Sequence, residues 1–143
     1  MIPLVQHDRR VAVLLPYRKS GDARYEFFLQ KRDEGAPTDA GVFSMFGGGI
    51  EGEESPSEAL ARELKEELEY EMKSPQYFAQ YMRAGTSIHA FIEEVPPGFE
   101  NTVVVHEGEY GKFLPTSDII NSPNVSLIAQ MIVSQVVEYL KRV

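Results

Sequence analysis

Only Ile50 separates three consecutive glycines, Gly47 to Gly49, from the segment that holds almost all of the excess negative charge of this 143-residue chain. Residues 51–71 carry nine acidic and two basic side chains, whereas the rest of the chain carries thirteen acidic and twelve basic ones. Consecutive glycines let a backbone adopt positive φ and approach a ligand without side-chain obstruction. The pattern predicts a glycine loop followed by a strongly acidic element.

The acidic element has the features of a helix. Ser55-Pro56-Ser57-Glu58 matches a capping box with proline at the first helical position. The following residues, Ala59 to about Glu69, are good helix formers with leucine at every fourth position. Three glutamates, at positions i, i+3 and i+4, share another face of this helix: Glu63, Glu66 and Glu67.

These carboxylates can be interpreted in more than one way. Together with backbone carbonyls of the preceding loop, they form a set of hard oxygen donors suited to Mg²⁺ or Mn²⁺. An acidic helix face is also common simply as a solvated surface, and the glycines alone are typical of a tight turn. A third interpretation is an acidic surface helix that binds a protein partner.

Strands and helices alternate along the remaining sequence, which predicts a single α/β domain over residues 1–143 with a mixed sheet covered by helices. The final helix is predicted to open at Ser122-Pro123 and to run to about Lys141. The predicted strands are Val11–Tyr17, Tyr25–Arg32, Gly41–Phe46, Gln76–Met82, Ser87–Val95 and Thr102–His106.

Composition excludes several classes of function. The chain has no cysteine, so a disulfide framework, a zinc finger and a thiol nucleophile are all excluded. Its formal net charge of −8 argues against binding a nucleic acid polymer or an anionic membrane. No apolar run reaches the length of a membrane span, and Val11–Leu15 is too short for a signal-peptide core. We therefore expect a cytoplasmic protein.

The spacing of the acidic segment resembles a known family. Gly48, five residues, Glu54, seven residues, Arg62-Glu63-Leu64, one residue and Glu66-Glu67 together resemble the Nudix box, GX5EX7REUXEEXGU with U aliphatic. Glu69 and Tyr70 depart from it, because the family has glycine and an aliphatic residue at these two positions. The preceding residues 41–48 resemble the strand and turn that often read GxWxxPGG.

The resemblance implies an α/β/α sandwich with a mixed, partly antiparallel sheet and a glycine loop–helix–loop motif. It implies a Mg²⁺- or Mn²⁺-dependent hydrolase that cleaves a nucleoside diphosphate linked to another moiety, X. Glu66, Glu67 and the backbone carbonyl of Gly48 would then be metal ligands, and Glu63 a ligand or the base that activates water. Arg62 would orient the glutamates by ion pairing, while Glu54 would hold the loop to the helix.

Further site residues follow from the same resemblance. A downstream acid often completes the metal site or acts as base, and Glu107 is preferred here over Glu109, although a polar surface turn explains both equally well. Arg32 could contact substrate phosphate, together with the glycines at 47–49. Asn124 would contact the base, although its segment also serves as a helix cap.

We expect a small-molecule nucleotide substrate and a monomer or homodimer. A nucleoside triphosphate is favoured over a nucleotide sugar, because the chain lacks the extra N-terminal dimerisation segment of many relatives that cleave ADP-ribose. The alternative is a catalytically inactive Nudix-like module that binds a nucleotide and acts as a regulator.

Overall fold

The structure, a computed structural model, describes residues 9–22 and 24–143. The seven strands are β1 (Arg9–Lys19), β2 (Tyr25–Lys31), β3 (Phe43–Ser44), β4 (Phe46–Gly49), β5 (Gln76–Arg83), β6 (Thr86–Glu94) and β7 (Tyr110–Pro115). The α-helices are α1 (Pro56–Leu68), α2 (Thr116–Ile119) and α3 (Leu127–Arg142), and a 3₁₀ turn spans Phe99–Asn101. None of the helices in these ranges is long and apolar enough to cross a membrane.

Strand β1 organises a mixed sheet in the order β3-β2-β1-β6-β5, with β4 paired to β1 and β7 paired to β2. One edge of β1 pairs in parallel with β6. The other edge is shared, because Val11–Leu14 pairs with β4 and Tyr17–Lys19 pairs with β2, both antiparallel. Pro16, which has no amide hydrogen, lies between these two ladders.

Helices cover both faces of the sheet. Alternate residues of β1 point to opposite faces, so that Ala12 and Leu14 pack with the leucines of α1, whereas Leu15 packs with α3. The fold is therefore an α/β/α sandwich, which confirms the expected fold class.

One predicted strand is absent from the structure. Thr102–His106 is not a strand, because the amides of Val104 and His106 donate to the carbonyls of Leu68 and Glu67, the last residues of α1. Those bonds satisfy carbonyls that the helix itself leaves free. The strand in this region is β7.

The last helix begins at Leu127 rather than at Ser122-Pro123. Backbone bonds from Phe43 to Asn124 and from Ser126 to Phe43 hold the intervening chain against β3. Ser126 is consequently the N-cap, and its hydroxyl accepts from the amide of Ala129 at 3.2 Å.

The glycines also differ from the prediction of a loop, since Gly47–Gly49 forms the end of strand β4. The predicted strand Gly41–Phe46 is divided between β3 and β4. At Gly47 (φ +138°), a Cβ atom would lie 2.1 Å from the carbonyl oxygen of Ala12. The close approach of β4 to β1 therefore requires glycine at this position.

Candidate functional site

Helix α1 places the acidic side chains against the glycine strand. Its start is fixed by the predicted capping box, in which Ser55 Oγ accepts from the amide of Glu58 and the Glu58 carboxylate accepts from the amide of Ser55. Its end is Glu69, at φ 51° and ψ 40° in the left-handed region where the Nudix box has glycine. The helix buries Leu60, Leu64 and Leu68 in the core beneath β4.

Gly48 lies directly against the carboxylate of Glu63. A Cβ atom at Gly48 would lie 2.5–2.7 Å from the three atoms of that carboxylate, so no larger residue fits without displacing Glu63. The absence of a side chain at Gly48 thus makes room for the Glu63 carboxylate.

Glu67 is the buried acid of the site. Its side chain is only 4% exposed, and Oε1 accepts from the amide of Gly47 at 3.1 Å. Among the residues that the structure describes, Oε2 has no hydrogen-bond partner. Burial raises the pKa of Glu67 far above its ordinary value, and the nearby carboxylates of Glu107 and Glu63 raise this pKa further.

Arg62 connects the loop, the helix and Glu63. Its guanidinium donates to both carboxylate oxygens of Glu54 at 2.8 and 3.0 Å, to the carbonyl of Gly49 at 3.0 Å and to Glu63 Oε1 at 3.0 Å. Bonding to Arg62 lowers the pKa of Glu54 to about 2. These contacts are the ones that the predicted orienting role of Arg62 requires, and the role itself stays a prediction.

Glu66 is far more accessible than its neighbours. Its side chain is 63% exposed, with one oxygen 4.0 Å from the Arg62 guanidinium. Within residues 9–22 and 24–143, no three acidic or histidine side chains are gathered into a preformed metal cage. Glu63 and Glu67 belong to the same local group of carboxylates, whereas Glu66 lies at its solvent side.

Glu107 lies near the carboxylates of Glu63 and Glu67, on the segment between the 3₁₀ turn and β7. It lines the same cleft as Gly47, Gly48 and Glu63, a cavity of about 480 Å³. Glu109, by contrast, lies 3.6 Å from Lys31 Nζ and is not among the residues lining this cleft. Of the two predicted acids, Glu107 thus lines the cleft and Glu109 does not, and the role of Glu107 as the additional acid stays a prediction.

Arg32 also lines this cleft. Its guanidinium lies 4.0 Å from Glu107 Oε1, and its Nε donates to the carbonyl of Thr38 at 2.8 Å. Asn124 lies elsewhere, beside a separate cavity with Phe43 and Leu114. The structure therefore brings Arg32, but not Asn124, to the carboxylates.

Sequence reasoning missed three residues near the site. Gln30 is 1% exposed, and its Oε1 has no partner among the described residues. Asp39 and Arg83 pair with each other across the opposite end of the cleft. Gln30 lies on β2, Asp39 in the loop after it and Arg83 at the end of β5. Only the polarity of Gln30 within the apolar strand β2 could have indicated one of them.

Known proteins share this sequence pattern and fold. A family profile for the NUDIX domain matches residues 6–128. A CTP pyrophosphohydrolase from Escherichia coli (strain K12) is 40% identical over 70 residues, which cover 48% of this chain and 51% of that protein. The match thus spans about half the length of that relative.

Solved structures resemble almost the whole chain. A mutT/nudix family protein from Listeria innocua superposes with a TM-score of 0.74 at 16% identity, covering 94% of this chain and 95% of that one. An Ap4A hydrolase from C. elegans superposes with a TM-score of 0.72 at 19% identity, covering 94% and 99%. At these identities the similarity establishes the fold.

Proposed function

This chain belongs to the NUDIX domain family, and on that premise we propose that it is a divalent-metal-dependent pyrophosphohydrolase. Its substrate is a nucleoside diphosphate linked to X, and a nucleoside triphosphate is the preferred form. The similarity to a CTP pyrophosphohydrolase over 70 residues supports this preference.

The observation that carries the proposal is the environment of Glu67. A carboxylate that is 4% exposed, with one oxygen unpartnered and two further acids beside it, is unfavourable unless a proton or a cation compensates the charge. Hard carboxylate and carbonyl oxygens are suited to Mg²⁺ or Mn²⁺. The donor set therefore fits a divalent cation.

Glu63, Glu66, Glu67, Glu107 and the Gly48 carbonyl would hold the cation. When bound, such a cation neutralises charge on phosphate oxygens and lowers the pKa of water. Arg62 has the contacts to keep Glu63 in place before substrate arrives. Its charge is already shared among several partners, so it serves as a positioning residue.

Hydrolysis forms a bond between a water oxygen and a phosphorus atom, and breaks the bond from that phosphorus to the bridging oxygen. The proton released by the water passes to a carboxylate oxygen, and among the described residues Glu63 and Glu107 are the carboxylates that line the cleft beside the glycine strand. Arg32 lies on the same side and can donate to the phosphate oxygens.

The proposal also includes a cytoplasmic location and a monomeric or homodimeric state. It includes action on free nucleotides rather than on nucleic acid polymers. The net charge of −8 supports the last point, because a polyanion would meet a protein of the same sign.

The test is a panel of nucleoside triphosphates and nucleoside diphosphate derivatives, incubated with Mg²⁺ or Mn²⁺ and followed by product identification. The proposal predicts release of pyrophosphate or phosphate and about a hundredfold or greater loss of kcat in both Glu66→Gln and Glu67→Gln. Glu138→Gln, on the exposed face of α3, is the matched control.

The following results would contradict the proposal. Absence of hydrolysis across the panel refutes the enzyme, and nucleotide binding without hydrolysis favours the non-catalytic module. Full activity in both variants shows that the site lies elsewhere.

A further inference from the structure

The cleft has a second polar end, away from the carboxylates. Arg9 on β1, Thr86 on β6 and Arg83 on β5 are paired in register across three neighbouring strands, and all three line the cleft. Gly48 pairs with Ala12, three residues further along β1. At the rise of an extended strand, the two ends are about 10 Å apart.

Apolar side chains form the surface between the two ends. Val11 and Val13 lie on one face of β1, on either side of Ala12, which points to the other face. Ile88 on β6 is paired with Val11 and also lines the cleft. A flat, weakly polar ring can lie on such a surface, whereas a chain of phosphates cannot replace its hydration there.

Asp39 and Arg83 meet at this second end. The two guanidinium nitrogens of Arg83 lie 3.3 and 3.4 Å from the two carboxylate oxygens of Asp39. Charge-assisted hydrogen bonds are ordinarily about 2.7–2.9 Å long, so this pair is only loosely engaged. Among the described residues neither side chain has another hydrogen-bond partner, which leaves donors and acceptors for a ligand.

Asp39 is held in place by the loop that carries it. Arg32 binds the carbonyl of Thr38, and the amide of Gly41 donates to the carbonyl of Asp33. Asp39 itself has φ 51°, a conformation that aspartate and asparagine tolerate better than most residues. Its side chain is 18% exposed, so the acceptor is presented in a fixed, partly desolvated position.

The chemistry of this pair selects among ligands. A carboxylate only accepts and a guanidinium only donates, so the pair matches a neutral group that carries a donor beside an acceptor. A terminal phosphate is disfavoured, because Asp39 would repel it. The amino group and adjacent ring nitrogen of cytosine and of adenine match the pair when Asp39 meets the exocyclic position, whereas the carbonyl and ring N–H of uracil and guanine match only the reverse placement. The similarity to a CTP pyrophosphohydrolase favours the first placement.

We propose that Asp39 and Arg83 select the nucleobase, with Asp39 accepting from the exocyclic amine and Arg83 donating to the ring nitrogen. Neither family membership nor the relatives' names assign this role to the two residues. The inference rests on the proposed function, since it names the base whose pyrophosphate would reach the carboxylates at the other end.

The test compares kcat/KM for CTP, UTP, ATP and GTP in the full chain and in Asp39→Asn. We expect the natural protein to prefer CTP over UTP by about tenfold or more. In Asp39→Asn the ratio should fall to within about threefold, because the new amide can donate to the uracil carbonyl. Arg83→Gln should reduce the same ratio, and Glu138→Gln should leave it unchanged.

Each result has a distinct meaning. A joint preference for CTP and ATP supports recognition of the shared amino edge, and a preference for CTP alone supports it with an added limit on ring size. An equal loss for all four nucleotides, or an unchanged ratio, overturns base selection and assigns the pair to a sugar contact or to loop closure. No hydrolysis of any nucleotide by the natural protein instead refutes the proposed function.

Discussion

Glu67 lies at the centre of the carboxylate group, and glutamine in its place keeps the side-chain shape while removing the charge. The amide oxygen can still accept from the amide of Gly47, as Oε1 does at 3.1 Å. The change therefore isolates the cost of a buried negative charge from the cost of losing a packed side chain.

The magnitude follows from the raised pKa of Glu67. The folded, metal-free protein retains a proton on this carboxyl at pH values where the unfolded chain has released it. Stability is therefore greatest below the unfolded value near 4.5 and decreases as pH rises toward the folded pKa. One such group changes the free energy of unfolding by about 2.3RT per pH unit, or roughly 3 kcal/mol between about pH 5.5 and 7.5.

Thermal unfolding in a chelator measures this effect. For a domain of this size, the contribution of Glu67 corresponds to a decrease of about 8 to 10 °C in Tm over two pH units. Glu67→Gln should lack that decrease, and Mg²⁺ should stabilise the natural protein much more than the variant. Equal pH dependence in both proteins, with equal stabilisation by Mg²⁺, would refute the reasoning.

Three further changes test other parts of the site. Gly48→Ala should reduce kcat by about tenfold or more, because the new methyl group displaces the Glu63 carboxylate. Gly35→Ala, with open space around it, should leave kcat unchanged. Equal activities of the two variants would show that the close contact between Gly48 and Glu63 does not matter for catalysis. Arg62→Lys loses the bidentate hydrogen bonds to the Glu54 carboxylate and should weaken Mn²⁺ binding about 10- to 100-fold in a calorimetric titration. Unchanged Mn²⁺ affinity would contradict the positioning role of Arg62. Tyr70→Phe removes a hydrogen-bond donor from the buried Glu93 and should lower the free energy of unfolding in urea by about 1–3 kcal/mol while leaving kcat unchanged. An unchanged free energy of unfolding would show that this hydrogen bond is dispensable.

The carboxylate site was predictable because its spacing is local. A helix face and the loop before it are set by neighbours in sequence, so Glu63, Glu67 and Arg62 could be grouped before the fold was known. The two departures from the Nudix box have structural explanations. Glu69 adopts the left-handed conformation despite having a side chain, and Tyr70 donates to Glu93 and packs against Phe99.

The missed features depend on contacts between distant segments. The amides of Val104 and His106 donate to carbonyls at the end of α1. The β-branched sequence of Thr102–His106 predicts a strand and gives no sign of these bonds. Ser126 becomes the helix cap because the preceding residues pair with β3. Asp39 and Arg83 are 44 residues apart and meet only when β5 and β6 have joined β1.

The most direct test of a cation site centred on Glu67 is a Mn²⁺ titration followed by electron paramagnetic resonance of the free ion. The natural protein should bind Mn²⁺, with affinity that decreases as pH is lowered and protons compete for the carboxylates. Glu67→Gln should bind at least about tenfold more weakly, and Glu138→Gln should bind normally. Equal Mn²⁺ affinity in the natural protein and Glu67→Gln would contradict the account.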